Sequence, residues 1–82
     1  MARRPPVVHK RYPSLPRSEK YPLQEFRVRI IEYPNSPILF DLREFVTSEQ
    51  YTDYTPKGVC LTRQQFEALF ELGPDILKEM DK

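Results

Sequence analysis

Two short runs of apolar–polar alternation, separated by a cluster of chain breakers, constrain this chain more than anything else in it. In QEFRVRIIEY, Gln24 to Tyr33, the side chains of Phe26, Val28 and Ile30 alternate with Arg27 and Arg29. In ILFDLREF, Ile38, Phe40 and Leu42 fall on one side, and Asp41 and Arg43 fall on the other beside Leu39 and Phe45. A period of two is that of a half-buried strand, and the β-branched content supports it. Tyr33-Pro-Asn-Ser-Pro37 between the runs is a turn, so a hairpin is predicted with one apolar face and one face carrying Arg27, Arg29 and Arg43.

Beyond Phe45 the chain runs through a polar loop to Pro56-Lys57-Gly58, which predicts a turn, and then to a short β-type run, Val59-Cys60-Leu61. Thr62 stands where a helix N-cap is wanted, and Gln65 three residues on completes a Thr-x-x-Gln capping box. Phe66, Leu69, Phe70 and Gly73 form a helical stripe expected to cover the apolar face of the sheet. Gly73 suits the residue just past a helix end, and Pro74 can open a further short helical turn with Ile76, Leu77 and Met80 on its apolar side.

The first 22 residues differ in kind. They hold five of the nine prolines, six basic side chains (Arg3, Arg4, Lys10, Arg11, Arg17, Lys20) and one acid, Glu19, for a net charge of +5. Residues 23–82 carry seven basic and eleven acidic side chains, for −4, so the overall +1 hides two oppositely charged parts. Proline at that density favours an extended arm without a core of its own. Such an arm can lie along phosphates, where Arg3, Arg4, Lys10 and Arg11 would gain from counterion release. The expected organisation is therefore an arm, 1–22, and a domain, 23–82.

Several chemistries are excluded. Two glycines leave no phosphate-cradling loop, and a single histidine, His9, with a single cysteine, Cys60, provides neither zinc spacing nor a His-dependent catalytic pair. A lone cysteine in a β-type run reads as a half-buried thiol in a reducing compartment. No apolar run approaches the length of a membrane helix, and no secretory signal core is visible near the start. The expectation is a non-enzymatic intracellular protein with no cofactor and no metal. A lone domain of this size buries only about two thirds of its unfolded surface, and dimerisation is one way to enlarge such a core.

The ordered set Asp41-Leu42-Arg43-Glu44-Phe45, then Lys57-Gly58-Val59, Leu61, and a helix entered as Thr62 with Phe66 in its first turn resembles the single-stranded-DNA-binding transcriptional coactivators of the positive-cofactor-four type. The resemblance spans Phe26 to Leu72. It implies an α+β fold, a curved antiparallel sheet of three to four strands backed by a C-terminal helix, preceded here by the extended proline-rich arm. It also implies a dimer, with Tyr33, Arg43 and Lys57 at positions associated with DNA contact. Arg27 and Arg29 join them from the local alternation alone. Two family features are missing: a lysine before the second strand is replaced by Pro37, and a tryptophan after the Arg-Glu-aromatic triplet by Val46.

Two functions follow as expectations. The first is single-stranded DNA or RNA binding in transcription, replication or repair, in the nucleus or nucleoid, through Arg27, Arg29, Tyr33, Arg43 and Lys57. The second is an architectural or adaptor subunit of a transcription, ribonucleoprotein or virion assembly, docking through its arm and through Tyr51, Tyr54, Ile76 and Met80. On the first reading the arginines face a strand; otherwise they pair with Asp41 and Glu44 on a solvated sheet.

Overall fold

The computed structural model describes residues 5–82. Four strands, β1 (Val7–Arg11), β2 (Gln24–Glu32), β3 (Ile38–Thr47) and β4 (Thr52–Leu61), precede one helix, α1 (Arg63–Met80). They form a single antiparallel sheet in the order β1-β2-β3-β4, an α+β arrangement as expected. Among the described residues no helix is long and apolar enough to cross a membrane.

The β2–β3 hairpin is its regular centre. Pairing runs without a break from Gln24 opposite Val46 to Glu32 opposite Ile38. The turn between them places Asn35 at φ 60°, and the Ser36 amide donates to the Tyr33 carbonyl at 3.2 Å. Proline followed by a residue able to take positive φ is what a type II turn favours, so Pro34-Asn35 accounts for the reversal.

Three elements differ from the sequence expectation. Val7–Arg11, inside the expected extended arm, is the edge strand of the sheet, paired with β2 across a bulge between Val8 and Lys10. The edge position tolerates the flanking prolines, since one side of the strand needs no partner. Arg3 and Arg4 lie outside the described residues. On the opposite edge β4 starts at Thr52, ten residues long, and Pro56-Lys57-Gly58 lies inside it at an irregularity in the β3 pairing rather than in a turn.

The third difference is the helix. The Thr62 hydroxyl accepts from the Gln65 amide at 3.2 Å and the Gln65 side chain accepts from the Thr62 amide at 3.0 Å, so the capping box forms as expected. The helix then continues through Gly73 and Pro74 instead of breaking there. A glycine cap needs positive φ, and among the described glycines only Gly58 has it. An exposed helix also lets solvent satisfy the Phe70 carbonyl that Pro74 cannot serve.

Nor does α1 cover the sheet. Phe66 stacks on Phe40 at 4.6 Å between ring centroids, but Phe70 is 74 % exposed, Leu77 65 % and Met80 74 %. The apolar face of the sheet, with Phe26, Val28, Ile30, Phe40, Leu42 and Val59, is left largely open beside the first turn of the helix. The best-buried side chains sit elsewhere. Ile31 and Asp41 are fully buried on the other face, so the chain is anchored on its charged side.

Candidate functional site

Strand alternation carries Glu25, Arg27, Arg29 and Ile31 of β2 to one face, with Leu39, Asp41, Arg43 and Phe45 of β3 opposite. The β4 register adds Gly58, Cys60 and Tyr54 to the same face. Arg11 of β1 pairs directly with Arg29. Two cross-strand rungs, Arg11–Arg29–Asp41–Cys60 and Arg27–Arg43–Gly58, thus set charged side chains next to one another.

Two carboxylates hold four guanidinium groups there. Asp41 Oδ2 accepts from Arg29 Nε at 2.9 Å, while its Oδ1 accepts from Arg43 Nη2 at 3.1 Å and from the Cys60 thiol at 3.2 Å. Glu25 Oε1 accepts from Arg27 Nε at 3.2 Å, and its Oε2 from Arg17 Nη2 at 2.9 Å. Four cations against two anions leave a surplus of two, to which Arg11 adds a third. The carboxylates fix the cations without cancelling them.

Aromatic rings support the same groups from behind. Arg27 Cζ lies 3.6 Å from the Phe45 ring centroid, and Arg29 Cζ lies 4.7 Å from that of Tyr54, with the two rings edge to face at 5.0 Å. A guanidinium laid on a ring face loses less freedom when it binds an anion. Protonation states follow from these contacts. The hydrogen bond to Glu25 raises the pKa of Arg27, and for Arg43 burial works against the charge but the Asp41 carboxylate outweighs it. Burial pushes the Cys60 thiol up, and the Asp41 carboxylate adds to that, so the sulfur is a neutral thiol donor rather than a nucleophile.

Glu44 is the buried carboxylate of the opposite face. Gln24 Nε2 and Thr55 Oγ1 donate to it, the latter at 2.9 Å, so it ties β4 at its irregularity and pairs with none of the three arginines. Of the two acids expected to neutralise the arginines, Asp41 does so; Glu25 takes the place of Glu44. Glu25 was detectable in the sequence, since it stands two residues before Arg27 and shares its face.

The other expected site residues are dispersed. Tyr33 follows the end of β2, six residues from Arg27 and outside the cluster. Lys57 is exposed beside Gly58, and its charge acts on Glu44. Lys10 points to the apolar side, its Nζ 5.0 Å from the Tyr12 ring centroid, whereas Arg11 faces Arg29. Tyr54 belongs to the arginine cluster, and Tyr51, exposed, donates its hydroxyl to the Tyr54 carbonyl at 2.8 Å. Ile76 and Met80 are exposed on α1.

Among the described residues no group of His, Cys, Asp and Glu side chains is arranged to hold a metal ion. No protein-family model, curated protein or solved structure matches this chain.

Acid should weaken this arrangement first. Arg27 above all, with Arg17 adding to it against the opposing effect of burial, holds the Glu25 carboxyl below the ordinary glutamate range, and Gln24 and Thr55 do the same for Glu44. A carboxyl whose folded pKa is lowered contributes stability that is complete above its unfolded pKa and lost as pH falls through the folded one. The thermal midpoint is therefore expected to stay level from neutral pH to about pH 5 and to drop below it. Glu25→Gln should flatten that drop, and a midpoint that falls equally steeply with pH in the variant would refute the assignment.

Proposed function

We propose that this protein is a non-enzymatic binder of single-stranded nucleic acid, acting in transcription, replication or repair, with the arginine face of the sheet as its strand-binding surface. The observation that carries the reading is the excess of guanidinium over carboxylate on that face, four to two, each cation oriented by an acid or a ring. Oriented cations on a twisted sheet suit a phosphate backbone, and their flat faces offer stacking surfaces for bases. The resemblance to the positive-cofactor-four coactivators points the same way through Arg43 and Lys57. The active unit on this reading is a dimer, in which a second copy covers the open apolar face and the exposed side of α1.

Fluorescence anisotropy of a labelled single strand of about 20 nucleotides tests the proposal, with a matched duplex beside it. Micromolar or tighter binding is expected, preferring the single strand and weakening with salt. The double variant Arg27→Ala, Lys57→Ala should reduce the salt slope by about 0.7 for each phosphate that is no longer neutralised. No binding at low salt would reject the proposal in favour of an adaptor role, which the exposure of Phe70, Leu77 and Met80 on α1 favours.

A further inference from the structure

The arm does more than extend the sheet. The Tyr12 amide donates to the Val28 carbonyl at 3.0 Å and the Leu15 amide to the Phe26 carbonyl at 2.9 Å, so the chain beyond β1 keeps to the free side of β2. Arg17 then anchors it, donating to Glu25 and to the Pro22 carbonyl at 3.1 Å. This path borders an open cleft of about 200 Å³ lined by Arg11, Ser14, Glu25, Arg27, Arg29 and Tyr54 among others.

The cleft is electrostatically unbalanced. Arg11 and Arg29 are directly opposite in an antiparallel pair, where like charges destabilise the pairing. Arg29 engages Asp41 through Nε and Nη2, which leaves its Nη1 free to donate, while Arg27 is held by Glu25 and also by Tyr54. Among the described residues Arg11 has no ion-pair partner. Glu25 cannot balance the excess, because both of its oxygens are already engaged by Arg17 and Arg27.

We propose that this cleft is a binding site for one phosphate group, a phosphodiester or a phosphate monoester, completed by Arg11 of the arm together with Arg27 and Arg29 of the sheet. A tetrahedral anion between Arg11 and Arg29 turns their repulsion into two charge-assisted contacts. The arm is then part of the site, and a bound phosphate holds β1 to β2. Where the phosphate belongs to a nucleic-acid strand, the site deepens the function proposed above; a free phosphate would use the same groups.

Arginine Nε–H resonances of the full chain, titrated separately with inorganic phosphate and with a single strand, provide the test. Arg11 and Arg29 should shift with both ligands, and Arg11→Gln, an exposed change on an edge strand, should weaken phosphate binding about tenfold or more. The same variant should lower the salt slope of strand binding by about one phosphate. Strand binding that persists with Arg11 and Arg29 unmoved overturns the cleft and leaves the sheet-face function standing. Shifts with inorganic phosphate in a protein that binds no strand uphold the cleft and reject that function.

Discussion

Asp41→Ala is expected to cost about 3–5 kcal/mol of folding stability. The carboxylate is fully buried, and its removal leaves Arg29 and Arg43, whose side chains are only 15 % and 21 % exposed, facing each other without an anion. The Cys60 thiol loses its acceptor as well. A chain of this length has a total stability of only about 5–15 kcal/mol, so the variant should lose a large share of it. Asp41→Asn is the informative companion, because it keeps the shape and one acceptor but not the charge, and it should fall between the two. Urea denaturation at neutral pH measures both. A loss below about 1 kcal/mol for the alanine variant would mean that solvent reaches the two guanidiniums and that the network is a surface one.

Gly58→Ala should be the next most damaging change. An added Cβ would stand 2.5 Å from the Leu42 carbonyl oxygen and 3.0 Å from the Arg43 Cα, both backbone atoms of β3 that cannot rotate away. The residue also sits at φ +157°, which side chains other than glycine rarely adopt. Strain of about 1–3 kcal/mol and overpacking of similar size both act at one rung of the sheet. Gly73→Ala makes the control, since nothing lies within 4 Å of its added Cβ in the helix, and there alanine should stabilise by about 0.5–1 kcal/mol. Amide exchange should quicken along β4 in the first variant and not in the second. Equal stability of the two variants would show that β4 does not approach β3 so closely.

How far the fold could be read from the chain depends on where its determinants lie. The β2–β3 hairpin and the capped start of α1 were readable because alternation, turn residues and capping are local properties. β1 was not, because Val-Val-His-Lys-Arg between prolines becomes a strand only when the open side of β2 is there to pair with it. Pro56 concealed the first half of β4 in the same way, being compatible with a strand only at a sheet edge. The position of α1 depends on Phe66 meeting Phe40, and the helical stripe alone could not show that its later members would stand away from the sheet. For the site, alternation brought Arg27, Arg29 and Arg43 to one face. Arg11 joined them through tertiary pairing, and Tyr33, placed by resemblance, lies beyond the strand end.

The simple strand order has a kinetic consequence. Every pairing joins neighbours in sequence, with residues 33–37 and 48–51 closing the two tight connections and 12–23 the only long one. Short closures cost the least chain entropy, so β2, β3 and β4 assemble as one early unit and β1 is added after the longest loop closes. By the same order β1, five residues long with a bulge and mostly exposed, is the first strand to fray. Opening of the sheet at that edge is then a local event, faster than unfolding of the domain, and it parts Arg11 from Arg29 while the rest of the sheet stays paired.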